Sequence, residues 1–238
     1  MSEITLGGIR FAVIDLMKPF SLETEVFPGD PKPKRKIVSE IKNTGWEHYI
    51  HEIADHHFQP HADAPKHYLP ELQNHDILYF DFDYIFNTAI LIDLSGNGNA
   101  EKHQGIRFLK KITQKELEPY HKLLNQKGAV IIRTGYDKWL EANFPNYEKL
   151  IPYFTPEAAE YLSLFKNIKI VGTDSLNVDP PESNRAHRFF KNKMIVEGLV
   201  NLSAIPQNKR DNFDIQTSPL KISGATGSPV TAFAFIKL

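Results

Sequence analysis

Short apolar runs of strand length recur along the chain, and Gly, Pro, Asn and Asp separate them. β-branched residues are frequent in these runs, which favours strands over helices. None of the runs approaches the ~20 residues that a membrane-spanning helix requires. The pattern therefore predicts strands at Phe11–Leu16, Ala89–Leu94, Ala129–Ile132, Ile168–Val171, Met194–Leu199 and Val230–Ile236.

Two segments carry the signals of a helix start. Residues 113–125 open with a Thr-x-x-Glu capping box, and residues 155–165 open with an N-cap Thr before Pro. Predicted strands outnumber predicted helices. We therefore expect a single compact α/β domain over residues 1–238, with a central mixed, partly antiparallel β-sheet and flanking helices.

Charge and cysteine content narrow the possible functions. The 238 residues include 28 Lys and Arg against 29 Asp and Glu, so no basic footprint indicates a nucleic-acid partner. The absence of Cys excludes disulfides, thiolate metal sites and a catalytic thiol. The acid Glu3 lies near the start and the first apolar stretch is broken early, whereas a secretory signal has an uninterrupted apolar core. We expect a cytoplasmic protein without a membrane or nucleic-acid partner.

The densest candidate chemistry lies in residues 57–67, where His57, His61, Asp63 and His67 all occupy odd positions. Alternate side chains of an extended segment share one face, so these four could converge. Two prolines in the segment disfavour a helix. Imidazole and carboxylate are common ligands of zinc and similar divalent ions. The segment predicts a metal site; a polar surface loop with chance histidines is the alternative.

A second candidate group follows later in the chain. Glu197 is an acid inside the apolar run that begins at Met194, and His187 lies ten residues before it. A buried carboxylate is costly unless it is paired, and a metal ion would pair it. A salt bridge to Arg133 or Arg188 is the alternative.

The order of these motifs resembles the cyclase family of metal-dependent hydrolases, which includes kynurenine formamidase and isatin hydrolase. The family pattern H-x-G-T-H-x-D-x-P-x-H is similar to residues 57–67, except that Gln59-Pro60 replaces Gly-Thr. The ending near Pro229 also differs, because Thr231 stands where the family often has Arg. Further similar segments are Phe27–Pro31, Arg133–Tyr136, Gly172–Asp179 and Gly227–Val230.

The resemblance implies a compact α/β fold of the swivelling β/β/α type and one or two divalent metal ions per chain. Zinc is the first expectation and manganese the second. The implied metal ligands are His57, His61, Asp63, His187 and Glu197.

Roles are also expected for residues that are not metal ligands. His67 is implied as the general acid/base, and Asp174 could orient a ligand histidine or simply be a turn acid. Gln59 could donate a hydrogen bond in place of the lost Thr. Phe27, Tyr68, Tyr136 and Trp139 are candidates for an aromatic substrate pocket, with core packing as the alternative, favoured for Trp139.

The implied activity is hydrolysis of an amide-type C–N bond by metal-activated water, with His67 as proton carrier, as in kynurenine formamidase. One alternative is opening of an aromatic lactam of the isatin type. Another is a metal-binding protein in which Gln59-Pro60 has ended catalysis. The expected partner is a small aromatic amide or lactam, and the expected assembly is a homodimer or homotetramer.

Overall fold

Short strands make up most of the regular structure in the computed structural model, which describes residues 2–23, 26, 30–54, 60–142, 150–180 and 183–238. Within these ranges the strands are β1 Ser2–Leu6, β2 Ile9–Asp15, β3 Lys34–Ser39, β4 His48–Glu52, β5 His61–Asp63, β6 Phe86–Asp93, β7 Glu101–His103, β8 Ile106–Phe108, β9 Lys111–Ile112, β10 Ala129–Arg133, β11 Tyr153–Phe154, β12 Ile170–Thr173, β13 Met194–Glu197, β14 Phe213–Pro219 and β15 Gly227–Lys237.

The helices are short and lie between the strands. In the described ranges none combines the length and apolarity needed to cross a bilayer. They are α1 Ile41–Thr44, α2 Pro65–Tyr68, α3 Gln114–Leu117, α4 His121–Leu124, α5 Asp137–Glu141, α6 Pro156–Ser163 and α7 Arg185–Phe189. Single 3-10 turns lie at Pro70–Leu72, Ile77–Tyr79, Phe82–Tyr84, Glu118–Tyr120, Leu202–Ala204 and Gln207–Lys209.

The six predicted strands are confirmed, with small shifts at their ends, as β2, β6, β10, β12, β13 and β15. The helix predicted over 113–125 is broken into α3, a 3-10 turn and α4. Its capping box is present, but Pro119 has no N–H to continue an α-helix. The helix predicted over 155–165 is α6, where the Thr155 hydroxyl accepts a hydrogen bond from Ala158 N at 3.3 Å.

The main sheet closes on itself. Its order is β1-β2-β15-β14-β6-β10-β12-β13-β5, and β5 pairs antiparallel with both β13 and β15. Strands β6, β10, β12 and β13 run parallel, whereas the other pairings of this sheet are antiparallel. The predicted mixed sheet is therefore confirmed. Its closure into a ring of seven strands was not predicted, because it depends on the three-residue strand β5.

Both faces of the ring are buried along β10, β12 and β13 and along the second half of β6. Ala89, Leu91 and Ile131 belong to an inner cluster to which all seven strands of the ring contribute. Ile90 and Ile132 belong to an outer cluster that includes apolar residues of α6. The alternation follows the period of two along a strand, and burial on both sides explains why these strands are apolar throughout.

A tight turn follows β10 and fixes the loop that leads into α5. Gly135 has φ +99°, and its N–H donates to Asp174 Oδ2 at 2.9 Å. A Cβ at Gly135 would lie 2.5 Å from the carbonyl oxygen of Arg107. The loop therefore requires glycine for two independent reasons, the left-handed backbone and the close approach of another main chain.

We expect Gly135→Ala to lower the free energy of unfolding by roughly 2–5 kcal/mol, because left-handed strain and overpacking add. Gly105→Ala carries only the strain, since Gly105 has φ +86° and open space where a Cβ would stand. Gly96→Ala carries neither penalty. Urea unfolding of the three variants should rank them in this order, and equal losses for Gly135→Ala and Gly105→Ala would contradict the steric argument.

Candidate metal centre

Strand pairing brings three of the predicted ligands onto one face of the ring. His61 on β5 is the register partner of Glu197 on β13, and Asp63 lies opposite Ile195. Ala62 between the two β5 ligands belongs to the inner core, so His61 and Asp63 face outward. The alternation predicted for the motif is therefore present between positions 61 and 63.

The ligand atoms of these residues lie close together. His61 Nε2 is 3.2 Å from Glu197 Oε2 and 3.5 Å from Asp63 Oδ1. The second oxygen of Glu197 accepts a hydrogen bond from Val178 N at 2.8 Å, which fixes the carboxylate. Directly opposed residues of an antiparallel pair have Cβ atoms about 5 Å apart, so the strand register itself produces this convergence.

His187 approaches the other oxygen of Asp63. Its Nε2 lies 3.3 Å from Asp63 Oδ2, and its Nδ1 lies 2.7 Å from Asp179 Oδ2. Asp179 also accepts hydrogen bonds from the backbone N–H groups of His187 and Ala186, at 3.0 and 2.8 Å. A carboxylate that holds one ring nitrogen orients the other nitrogen toward a ligand position.

The charged groups of this site shift one another's pKa values. Burial would lower the pKa of His61, but the carboxylates of Asp63 and Glu197 outweigh burial and raise it. Burial opposes protonation of His187 too, yet its hydrogen bonds to Asp179 and Asp63 raise the pKa of His187 to about 10. Despite burial, His61 and His187 hold the pKa of Asp63 well below its usual range.

The donor set fits a divalent cation. One ligand atom from each of His61, Asp63 and Glu197 lies within 4.8 Å of the others, and each residue is at most 1% exposed. Asp63 Oδ1 is buried and receives no hydrogen bond from the described part of the chain. A buried acceptor without a donor is costly, and a cation beside it would remove that cost. Imidazole and carboxylate ligands suit both zinc and manganese.

His67 and Tyr68 border this group from α2. The ring of half-buried His67 lies 6.1 Å from that of His187, and the Tyr68 ring lies 4.9 Å from it. The expectation of an extended segment through position 67 is wrong, because Pro65 is the first residue of α2. Pro disfavours helix interiors but is tolerated at the first helical position.

Asp174 and Tyr136 lie in different surroundings. Both oxygens of Asp174 are occupied by donors of the loop after β10, from Thr134, Gly135 and Asp137. The carboxylate that contacts Nδ1 of His187 is instead Asp179. Tyr136 is fully buried and packs with Phe108 and Trp139, so its predicted role at the substrate stays a prediction.

Three predicted site residues, His57, Gln59 and Phe27, lie outside the described residues. The salt-bridge alternative for Glu197 is not what the structure shows. Arg133 pairs with Asp93 and Asp137, each at 3.1 Å, while Arg188 is exposed.

Asp179 carries no role predicted from the sequence. The signal available was its position at the end of the similar segment Gly172–Asp179, eight residues before His187. Only the fold shows the contact, because it places the His187 ring between Asp179, at 2.7 Å, and Asp63, at 3.3 Å.

The family model described as "Putative cyclase" matches residues 14–180, so the chain belongs to the cyclase family, as the motif order predicted. An isatin hydrolase of Roseibium aggregatum is 28% identical over 226 residues, which cover 87% of this chain and 82% of that protein. A kynurenine formamidase of Paracidovorax citrulli is 23% identical over 222 residues, covering 92% and 94% of the two chains.

The same architecture occurs in solved structures. Isatin hydrolase A from Labrenzia aggregata bound to benzyl benzoate superposes with a TM-score of 0.77 at 19% identity, covering 96% of this chain and 94% of that one. An isatin hydrolase bound to the product analogue thioisatinate gives the same TM-score at 23% identity, covering 96% and 93%. These similarities show a common fold.

We expect Glu197→Gln to weaken zinc and manganese binding at least ~100-fold, because loss of a group outside the ligand set already costs ~10–100-fold. The amide retains an acceptor for Val178 N, so the fold should persist. Glu101→Gln is the matched control, since Glu101 forms an exposed pair with His103 at 3.0 Å. Competition with a chromophoric chelator measures both affinities, and equal affinities would contradict the site.

We also expect metal binding at pH 7 to release protons. The pKa of His187 is raised to about 10, so its ring is protonated before binding and must become neutral to coordinate. Affinity should therefore rise with pH up to about 10. Calorimetric titration with zinc in two buffers of different ionisation enthalpy measures the release. Asp179→Asn should reduce the number of protons released. A binding enthalpy that is the same in both buffers would contradict the expected release.

Proposed function

We propose that this chain is a metal-dependent hydrolase that cleaves an amide-type C–N bond of a small aromatic substrate. The observation that carries the proposal is the buried group of His61, Asp63 and Glu197, with His187 and His67 beside it. Similarity to a kynurenine formamidase and an isatin hydrolase over most of each chain supports the same class of reaction.

Four described residues would hold the metal: His61, Asp63, His187 and Glu197. A bound divalent cation supplies Lewis acidity, which polarises a carbonyl group and lowers the pKa of water. The two oxygens of Asp63 face different histidines, His61 through Oδ1 and His187 through Oδ2. This arrangement supports a role for Asp63 as a ligand shared by two ions, with His57 completing the set.

His67 is the residue that we propose to move the proton. It is half-buried at the edge of the site, and α2 fixes its backbone through the bond from His67 N to Ala64 O at 2.9 Å. An imidazole that titrates near neutrality can accept a proton from water and donate it to the leaving nitrogen. Addition of water across the C–N bond yields a carboxylic acid and an amine.

Tyr68 would form one wall of the substrate pocket. Its ring packs against His187, and its hydroxyl donates to the carbonyl of Phe190 at 3.4 Å. The residue is only 7% exposed, so its neighbours hold the ring in place beside His187. Such a rigid aromatic wall suits a flat substrate.

Opening of an aromatic lactam is the second candidate reaction. It is favoured by the 28% identity to the isatin hydrolase, which extends over 226 residues. Both reactions cleave a C–N bond between a carbonyl carbon and a nitrogen attached to an aromatic ring, so the same residues would serve either one. The predicted homodimer or homotetramer and the cytoplasmic location stay predictions, as does the non-catalytic alternative.

We expect His67→Ala to lower turnover by ~10²–10⁴-fold, which is the usual contribution of a positioned acid/base. Zinc affinity should change little, because the proposed ligands remain. The assay uses zinc- or manganese-loaded protein with N-formylkynurenine and with isatin. His103→Ala is the control, since His103 pairs with Glu101 at the surface.

Two outcomes would contradict these assignments. If turnover of either substrate survives His67→Ala, another group carries the proton. If the metal-loaded wild-type protein hydrolyses neither compound, the proposed reaction class fails, whereas the metal affinity still reports on the site itself.

A further inference from the structure

A second cavity lies at the opposite end of the parallel strands from the metal centre. Lys169 directly precedes β12 and Lys193 directly precedes β13, whereas Glu197 is the last residue of β13. Lys193 and Glu197 are four positions apart along the strand, a distance of ~13 Å. The cavity therefore lies apart from the candidate metal centre, and β13 runs from one to the other.

This cavity has a volume of about 850 Å³ and a strongly cationic lining. Lys and Arg make up 28 of the 238 residues of the chain, yet they supply half of the residues that line the cavity. Among these described lining residues there is no Asp or Glu. The cations are Lys166, Lys169, Arg188, Lys191 and Lys193.

Lys193 is the most informative of these cations. It is 4% exposed, and its Nζ donates to the carbonyl oxygens of Phe165 and Ile168 at 2.8 and 3.0 Å. An ammonium has three donors, so one is left without an acceptor in the described part of the chain. Burial and nearby Lys169 lower the pKa of Lys193 to about 8. A buried cation beside a second cation is costly, and a bound anion would remove that cost.

Aromatic side chains form another part of the lining: Tyr79, Tyr84 and Phe189. The Lys169 ammonium lies 5.2 Å from the centre of the Tyr84 ring, which holds this lysine beside the aromatic groups. Cationic and aromatic groups therefore share a single cavity. Its volume is within the ~300–1,000 Å³ typical of sites for small organic ligands.

We propose that this cavity binds a small organic phosphate that carries at least two phosphate groups and a flat ring, such as a nucleoside diphosphate. Five cations without a lining carboxylate favour a ligand with several negative charges over a monoanion. Arginine and lysine both recognise phosphate oxygens, and the aromatic side chains offer contact to a ring. A nucleic acid is disfavoured, because the chain as a whole carries a formal charge of −1.

The test is calorimetric titration of the zinc-loaded protein with ADP and with inorganic pyrophosphate, in magnesium-free buffer. The pocket variant is Lys166→Glu/Lys191→Glu, which reverses two exposed charges at the cavity. Lys115→Glu/Lys122→Glu is the matched control, because these lysines are equally exposed, lie outside the cavity and change the net charge by the same amount.

We expect ADP to bind more tightly than pyrophosphate, the pocket variant to lose at least tenfold in ADP affinity, and the control to lose less than threefold. Circular dichroism checks that both variants are folded. Equal losses in the two variants would show a general charge effect and overturn the proposal. Undiminished binding to the pocket variant would instead place ADP at the zinc site. Binding to vesicles that contain a phosphorylated inositol lipid, without binding of ADP, would also overturn the proposal.

Discussion

The pairing of β5 with two other strands is the interaction on which the rest of the structure depends. This strand has only three residues, yet it joins β13 to β15 and so closes the ring. The same three residues carry His61 and Asp63 outward and Ala62 into the inner core. Ring closure therefore also assembles the candidate metal centre, and the strand register determines both.

The closed ring also explains how so many charged groups can be buried. Asp63, Glu197 and Asp179 each contact a histidine or a backbone N–H. Asp174 receives its donors from the loop after β10, while Arg133 lies between Asp93 and Asp137. A buried charge is tolerated when it is paired and hydrogen-bonded, and each of these buried charged side chains meets that condition.

The parts of this structure that follow from local sequence were predictable, whereas the parts that depend on distant contacts were not. The strands β6 and β10 are buried on both faces, so their apolar runs identify them directly. Strand β3 is exposed along most of its length and gives no such signal. The period of two correctly relates His61 to Asp63. It fails at His67, because the same proline that disfavours a helix interior begins α2.

The role of Asp179 shows the same limit. Its carboxylate contacts His187 Nδ1 and accepts hydrogen bonds from the backbone N–H groups of Ala186 and His187, and neither residue type nor spacing predicts these contacts. The sequence instead suggested Asp174 for that role, with a turn acid as the alternative, but the Asp174 oxygens accept hydrogen bonds from the loop after β10. The family resemblance predicted which residues belong to the site, while the carboxylate that contacts His187 Nδ1 could be found only from the fold.

The long sequence separation across β5 has a consequence for biosynthesis. More than half of the chain lies between His61 and its register partner Glu197, and β15, which completes the ring, extends to Lys237. Until β13 and β15 have been synthesised, His61 and Asp63 therefore lack the strands with which they pair. A cation that binds the closed ring more tightly than the open chain would favour the folded state by mass action.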